Sequence, residues 1–165
     1  MSRPRTIPDA DIFAAILRLI AEGGEKSVAF SSVARDTGLA APSLVQRYGG
    51  LPSMIHAALH SEWDRLDALV LTLQAGLADS SKGPQALLKA LTQSPSPAFL
   101  AASLRDAKLR DRATAWRSQV EAALVARGID DETAAMLFAI WQGQTLWDNL
   151  GDKAFKLKDA IKRLA

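Results

Sequence analysis

Ile12, Ile16 and Ile20 recur every four residues, with Phe13 and Leu17 beside them, directly after the helix-start pair Pro8-Asp9. That spacing predicts one amphipathic helix, halted by Gly23-Gly24. A short helix opens at Ser31-Ser32 and closes at Gly38, and a third runs from about Ala41 to Tyr48. Gly49-Gly50 breaks the chain again, and Pro52 suits the first turn of a fourth helix. Ile55, Leu59, Leu66, Leu69, Val70, Leu73 and Leu77 keep helical spacing, which predicts a long helix from about Leu51 to Ala75. A polar loop from Asp79 to Pro84 precedes a short helix from Pro84 to Gln93. Ser94-Pro95-Ser96-Pro97 is a second break, followed by a short apolar helix with Phe99, Leu100 and Leu104. The remaining pattern predicts helices over Asp106 to Arg127, Asp131 to Leu150 and Lys153 to Leu164, separated by Gly128 and Gly151. No alternating strand pattern and no internal repeat interrupt this series, so the fold class is all-α.

Between Phe30 and Tyr48 the pattern acquires a particular meaning. Two short helices that cross steeply need a small residue at their closest approach, and Ala34 supplies it. The turn needs a residue that tolerates positive φ, and Gly38 stands four positions on. Leu39 anchors the turn, Leu44 points inward from the second helix, and Val33 completes a small core. Phe13, Ile16, Leu17 and Ile20 cover that core from the first helix. This is the scaffold of a helix-turn-helix.

Composition adds exclusions more than identity. The 165 residues are 48% hydrophobic and 23% charged, ordinary values for a globular chain. Without cysteine there are no disulfides and no thiolate metal sites, and a reducing compartment is the simplest setting. No apolar run reaches the length of a membrane span and the first residues carry no signal-peptide apolar region, so a soluble cytoplasmic protein is expected. Net charge is +2, and residues 1–60 net only +1 from six basic and five acidic side chains. Charge alone does not predict a nucleic-acid partner.

The stretches Ile12–Gly24, Val33–Leu39 and Leu44–Gly50 resemble the first helix, second helix with its turn, and recognition helix of the TetR family of transcriptional regulators. The resemblance covers residues 8–66, and Met136 to Asp148, with Gly143 and Trp147, is similar in pattern to that family's penultimate, subunit-pairing helix. It implies an N-terminal three-helix DNA-binding domain over residues 8–52, joined by a long helix to a helical dimerisation and ligand-binding domain over 53–165. The helix from Ala41 to Tyr48 would lie in the major groove of double-stranded operator DNA. Ala41, Pro42, Ser43, Gln46 and Arg47 would face it, with Gln46 suited to adenine and Ala41 or Pro42 to a thymine methyl. Ser31, Ser43 and Arg35 would meet phosphates, and Arg3 and Arg5 form a basic arm towards the backbone or minor groove. Three positions depart from the family: Val45 and Arg47 stand where aromatics are usual, and Leu51 where a phosphate-binding Lys is usual.

A single unit contacts few bases, so a homodimer on a pseudo-palindromic operator is implied. The helices Ala113–Arg127 and Asp131–Leu150 would pair in a four-helix bundle, with Leu137, Ile140, Trp141, Gln144 and Trp147 at the interface. Trp63, Phe99, Leu104, Trp116, Met136 and Phe138 are the candidates to line a mainly apolar pocket for a small-molecule effector. The resulting expectation is a ligand-responsive repressor. A helical protein-interaction module that has kept the fold but lost specific DNA binding is the second reading.

Other signals carry less. His56 and His60 stand at i and i+4, a metal-ligand spacing, but no Glu follows His56 as zincin chemistry needs and no third ligand is evident. Neither a phosphate loop nor a nucleophile elbow is present, so neither an enzyme, a cofactor nor a metal is expected. The basic amphipathic end from Lys153 to Arg163 reads as a solvated helix face, and no membrane partner is expected.

Overall fold

The computed structural model describes residues 7–76, 83–91, 95–148, 151 and 156–164. Among them there are nine α-helices and no strand. They are α1 (Asp9–Gly23), α2 (Phe30–Thr37), α3 (Ala41–Tyr48), α4 (Leu51–Gly76), α5 (Gly83–Ala90), α6 (Pro97–Ser103), α7 (Ala107–Val125), α8 (Asp131–Asp148) and α9 (Leu157–Leu164). A 3-10 turn, Glu25–Ser27, follows α1. The elements expected from periodicity are all present, with most ends displaced by no more than a residue or two. The helix expected to reach Gln93 ends at Ala90, with Leu91 already outside it, and the helix expected from Lys153 starts at Leu157, with Lys156 outside it, while the expected end of α8 at Leu150 lies outside the described residues.

The chain forms two compact units. The first holds the residues up to Trp63 together with Pro97–Arg110, and the second holds Asp64–Ser96 and Asp111–Ala165.

In the first unit, α1 packs on α2 and α6, and α2 packs on α3. Ile12, Ile16 and Ile20 on α1 meet Val33 of α2 and Leu44 of α3 in a core where each is 1% exposed or less. Ser32 starts α2 by accepting the Ala29 N–H at 2.9 Å, and Ser27 ties the preceding turn to α1 by donating to Leu19 O at 2.6 Å. Gly38 closes α2 in the left-handed conformation, φ 73°, and its N–H returns to Ala34 O at 2.9 Å. Arg18 of α1 adds an ion pair to Asp36 of α2 at 2.8 Å. Trp63 is fully buried, donates its indole N–H to Ser103 Oγ at 3.1 Å and packs on Phe99 with ring centroids 4.9 Å apart.

In the second unit, α7 and α8 share an aromatic cluster. Trp116 lies 5.8 Å from Phe138 and 6.3 Å from Trp141 between centroids, and Phe138 lies 5.9 Å from Trp141. Asp130 caps α8 by accepting the Thr133 N–H at 2.9 Å, and that hydrogen bond holds its carboxyl below the ordinary value. Arg112 forks onto Asp64 at 2.6 Å and Asp67 at 2.7 Å, fastening α7 to the second half of α4. The apolar side of α9, Leu157, Ala160, Ile161 and Leu164, is partly covered, and α9 packs on α8 and α5. No described helix is long and apolar enough to cross a membrane.

Candidate nucleic-acid interface and ligand cleft

Leu44 is the one buried side chain of α3, so burying it turns the other faces of this short helix outward. Pro42, Ser43, Val45 and Gln46 are exposed, and Ala41 is half-buried at the first turn. Pro42 lies in the first turn, where its missing N–H costs no helical bond. Ser31 and Arg35 of α2 are also exposed. The structure therefore gathers Ser31, Arg35, Ala41, Pro42, Ser43 and Gln46 on the helix-turn-helix. Arg3 and Arg5 lie outside the described residues.

Arg47 has a more specific position. Its guanidinium donates to Ile7 O at 2.8 Å and pairs with Asp9 Oδ1 at 2.9 Å, while sitting 5.8 Å from the Tyr48 ring centre. Tyr48 donates its hydroxyl to the same Asp9 carboxylate. Burial and then the Asp9 carboxylate push the Tyr48 hydroxyl above its ordinary range, so it remains a protonated donor. The three side chains brace the end of α3 against the start of α1. The sequence contains no local cue for this brace, since Asp9 and Tyr48 are 39 positions apart.

The rings of the histidine pair lie with centroids 4.4 Å apart and planes tilted by 59°, and His56 Nε2 stands 3.6 Å from Asp106 Oδ1. Asp106 caps α7 through the Leu109 N–H, which is the main cause of its lowered pKa, with His56 beside it as a lesser one. No group of three metal-ligating side chains is found among the described residues.

The side chains expected to line an effector pocket are distributed. Trp63 and Phe99 belong to the core of the first unit, where Leu104 is exposed. Trp116 and Phe138 belong to the aromatic cluster of the second unit, and Met136 is exposed on α8. The second unit instead contains a cleft of about 470 Å³ among α5, α8 and α9, lined by none of those six. Trp141 and Gln144, expected at a subunit interface, line this cleft. Of the other interface candidates, Leu137 is fully buried within the chain, Ile140 is half-buried and Trp147 is 57% exposed.

No family sequence model and no curated protein matches the chain. Solved structures do, over nearly the whole length. A TetR-family member from Streptomyces coelicolor A3 is 25% identical, covers 94% of each chain and superposes with a TM-score of 0.63. The multidrug binding protein EbrR, solved with malachite green, is 24% identical over 96% of each chain with a TM-score of 0.69. A chain assigned to the TetR family from Rhodococcus sp. is 20% identical over 94% of each chain with a TM-score of 0.58. The chain thus has the fold of the TetR family of transcriptional regulators.

Proposed function

We propose that this chain is a transcriptional regulator that binds a pseudo-palindromic DNA operator as a homodimer and is released by a small-molecule effector. The observation that carries the reading is the outward face of α3. Pro42, Ser43 and Gln46 stand exposed on a helix that buries Leu44 alone, which is the geometry a major-groove reader needs. Gln46 is the base-reading side chain, with Ala41 and Pro42 as methyl contacts, and Ser31, Ser43 and Arg35 as phosphate contacts. Arg47 sits beside them with its guanidinium on Ile7 O and Asp9, so it can act by aiming α3 or can exchange Asp9 for a phosphate.

A second copy of the chain is the natural cover for α8. Met136, Ala139, Ile140, Gly143, Leu146 and Trp147 follow one helical face, and Met136, Leu146 and Trp147 are 39%, 43% and 57% exposed. The small residues Ala115, Ser118 and Ala122 line the outer side of α7, leaving room for a close helix. Two copies of α7 and α8 would then make a four-helix bundle across a two-fold axis. That a neighbour of the same fold is a multidrug binding protein supports release by a small molecule. An effector can do this only by binding one conformation more tightly than the other.

Gel-shift titration against DNA flanking the chain's own gene tests the reading. Specific, salt-sensitive binding is expected, through release of counterions from the phosphates. Replacing Gln46 with Ala should weaken it by about 1–3 kcal/mol if the amide reads a base. The second reading, an interaction module without specific DNA binding, draws on the apolar Val45, 43% exposed on α3. Weak binding indifferent to sequence would select it.

A further inference from the structure

The cleft among α5, α8 and α9 combines two properties that a packing defect does not need together. Its floor is apolar: Leu88 and Leu91 at the end of α5, Trp141 of α8 and Leu157 of α9. Three exposed lysines also line it, Lys89 from α5, Lys156 just before α9 and Lys158 in its first turn. Among the described residues every other lining side chain is neutral. Asp159, the acid in the first turn of α9, is exposed and is not among the lining residues. Among the described residues none of the three lysines has a carboxylate within ion-pair distance. The N–H groups of Leu157 and Lys158 precede the first helical bonds of α9, which run from Asp159 and Ala160 to Lys156 O. They add donors and the positive end of a helix to the same cleft.

We propose that this cleft is a binding site for an amphipathic carboxylate, with its apolar body on Leu88, Leu91, Trp141 and Leu157 and its carboxylate among Lys89, Lys156 and Lys158. The physical case is complementarity. Three like charges lining one cleft repel each other, and an anion between them removes that repulsion while accepting hydrogen bonds from each. A volume of about 470 Å³ falls in the range of small-molecule sites. An apolar cation of the same shape would gain the same floor but meet the lysines, so the lysines select by sign of charge. This inference rests on the regulator reading for what the ligand would control. The binding itself is a property of the second unit alone.

Isothermal titration of the full chain, without DNA, with octanoate, 1-octanol and octylammonium separates the floor from the lysines, because the three share one apolar body. Octanoate should bind roughly tenfold or more tighter than either of the others, as charge-assisted hydrogen bonds require. Replacing all three lysines together (Lys89→Gln, Lys156→Gln, Lys158→Gln) should bring octanoate down to the affinity of octanol. These side chains are exposed, so the fold should survive. Gln144→Trp, at a half-buried lining position, should fill the cleft and remove binding of both octanoate and octanol. The proposal is overturned if octanoate gives no binding heat, if octylammonium binds as tightly, or if octanoate affinity survives either variant. Because no DNA is present, such a failure leaves operator binding untouched, and a failed gel shift leaves this result standing.

Discussion

Gly143 offers the sharpest test of how two copies meet. It lies within α8, and a Cβ built there meets nothing within 4 Å in the single chain. Within one protomer, therefore, Gly143→Leu should stabilise. Glycine is about 0.8–1.0 kcal/mol worse than alanine in a helix interior and leucine is close to alanine, so the gain is about 0.5–1 kcal/mol. The same substitution should act in the opposite direction on the dimer if Gly143 sits at the centre of the apolar α8 face. Forcing a larger side chain into a packed contact costs about 1–3 kcal/mol, and two-fold symmetry applies it twice. The expected loss is then about 2–6 kcal/mol per dimer, at least about 30-fold in dissociation constant. Sedimentation equilibrium over a dilution series reads the dimer, and denaturant unfolding at the monomeric end of the series reads the protomer. A dimer constant unchanged by Gly143→Leu would refute the assignment of this face, whatever happens to protomer stability.

Three further outcomes follow from the same geometry. Leu44→Ala removes the only buried side chain of α3 and should destabilise the first unit by about 2–5 kcal/mol, with loss of operator binding; a shift under 1 kcal/mol by denaturant titration would contradict its place in the core. Gly38→Ala forces a left-handed conformation, φ 73°, on a residue whose added Cβ meets no neighbour, so the cost is backbone strain alone, about 1–2 kcal/mol, and Gly38→Asn should recover part of it in thermal unfolding. The Asp130 carboxyl is held below its ordinary value of 3.8, so its contribution is fully present above that pH and disappears as pH falls through the folded value. Asp130→Asn should therefore lower stability at neutral pH and flatten the acid side of a stability–pH profile below about pH 4, and an unaltered acid limb would count against the cap.

The local grammar of this chain was sufficient for its elements and for the helix-turn-helix scaffold. Val33, Ala34, Gly38, Leu39 and Leu44 lie within twelve positions of one another, so their spacing reports directly on one small core. Gly38 and Asp130 likewise signal a helix end and a helix start through bonds to residues only a few positions away. What tertiary structure alone decided involves partners far apart in the chain. Arg47 turns to Ile7 and Asp9, Trp63 bonds to Ser103, and Pro97–Arg110 joins the N-terminal unit. One cleft is lined both by Lys89 and by Lys156 and Lys158, far along the chain from it. The reason is physical. Hydrophobic periodicity states which face of a helix leaves water, but an apolar stripe is satisfied equally by its own chain, a second copy or a ligand. Trp141 and Trp147 share α8 and the same residue type, yet one is 5% exposed against Trp116 and Phe138 and the other is 57% exposed. Only the packed structure distinguishes them.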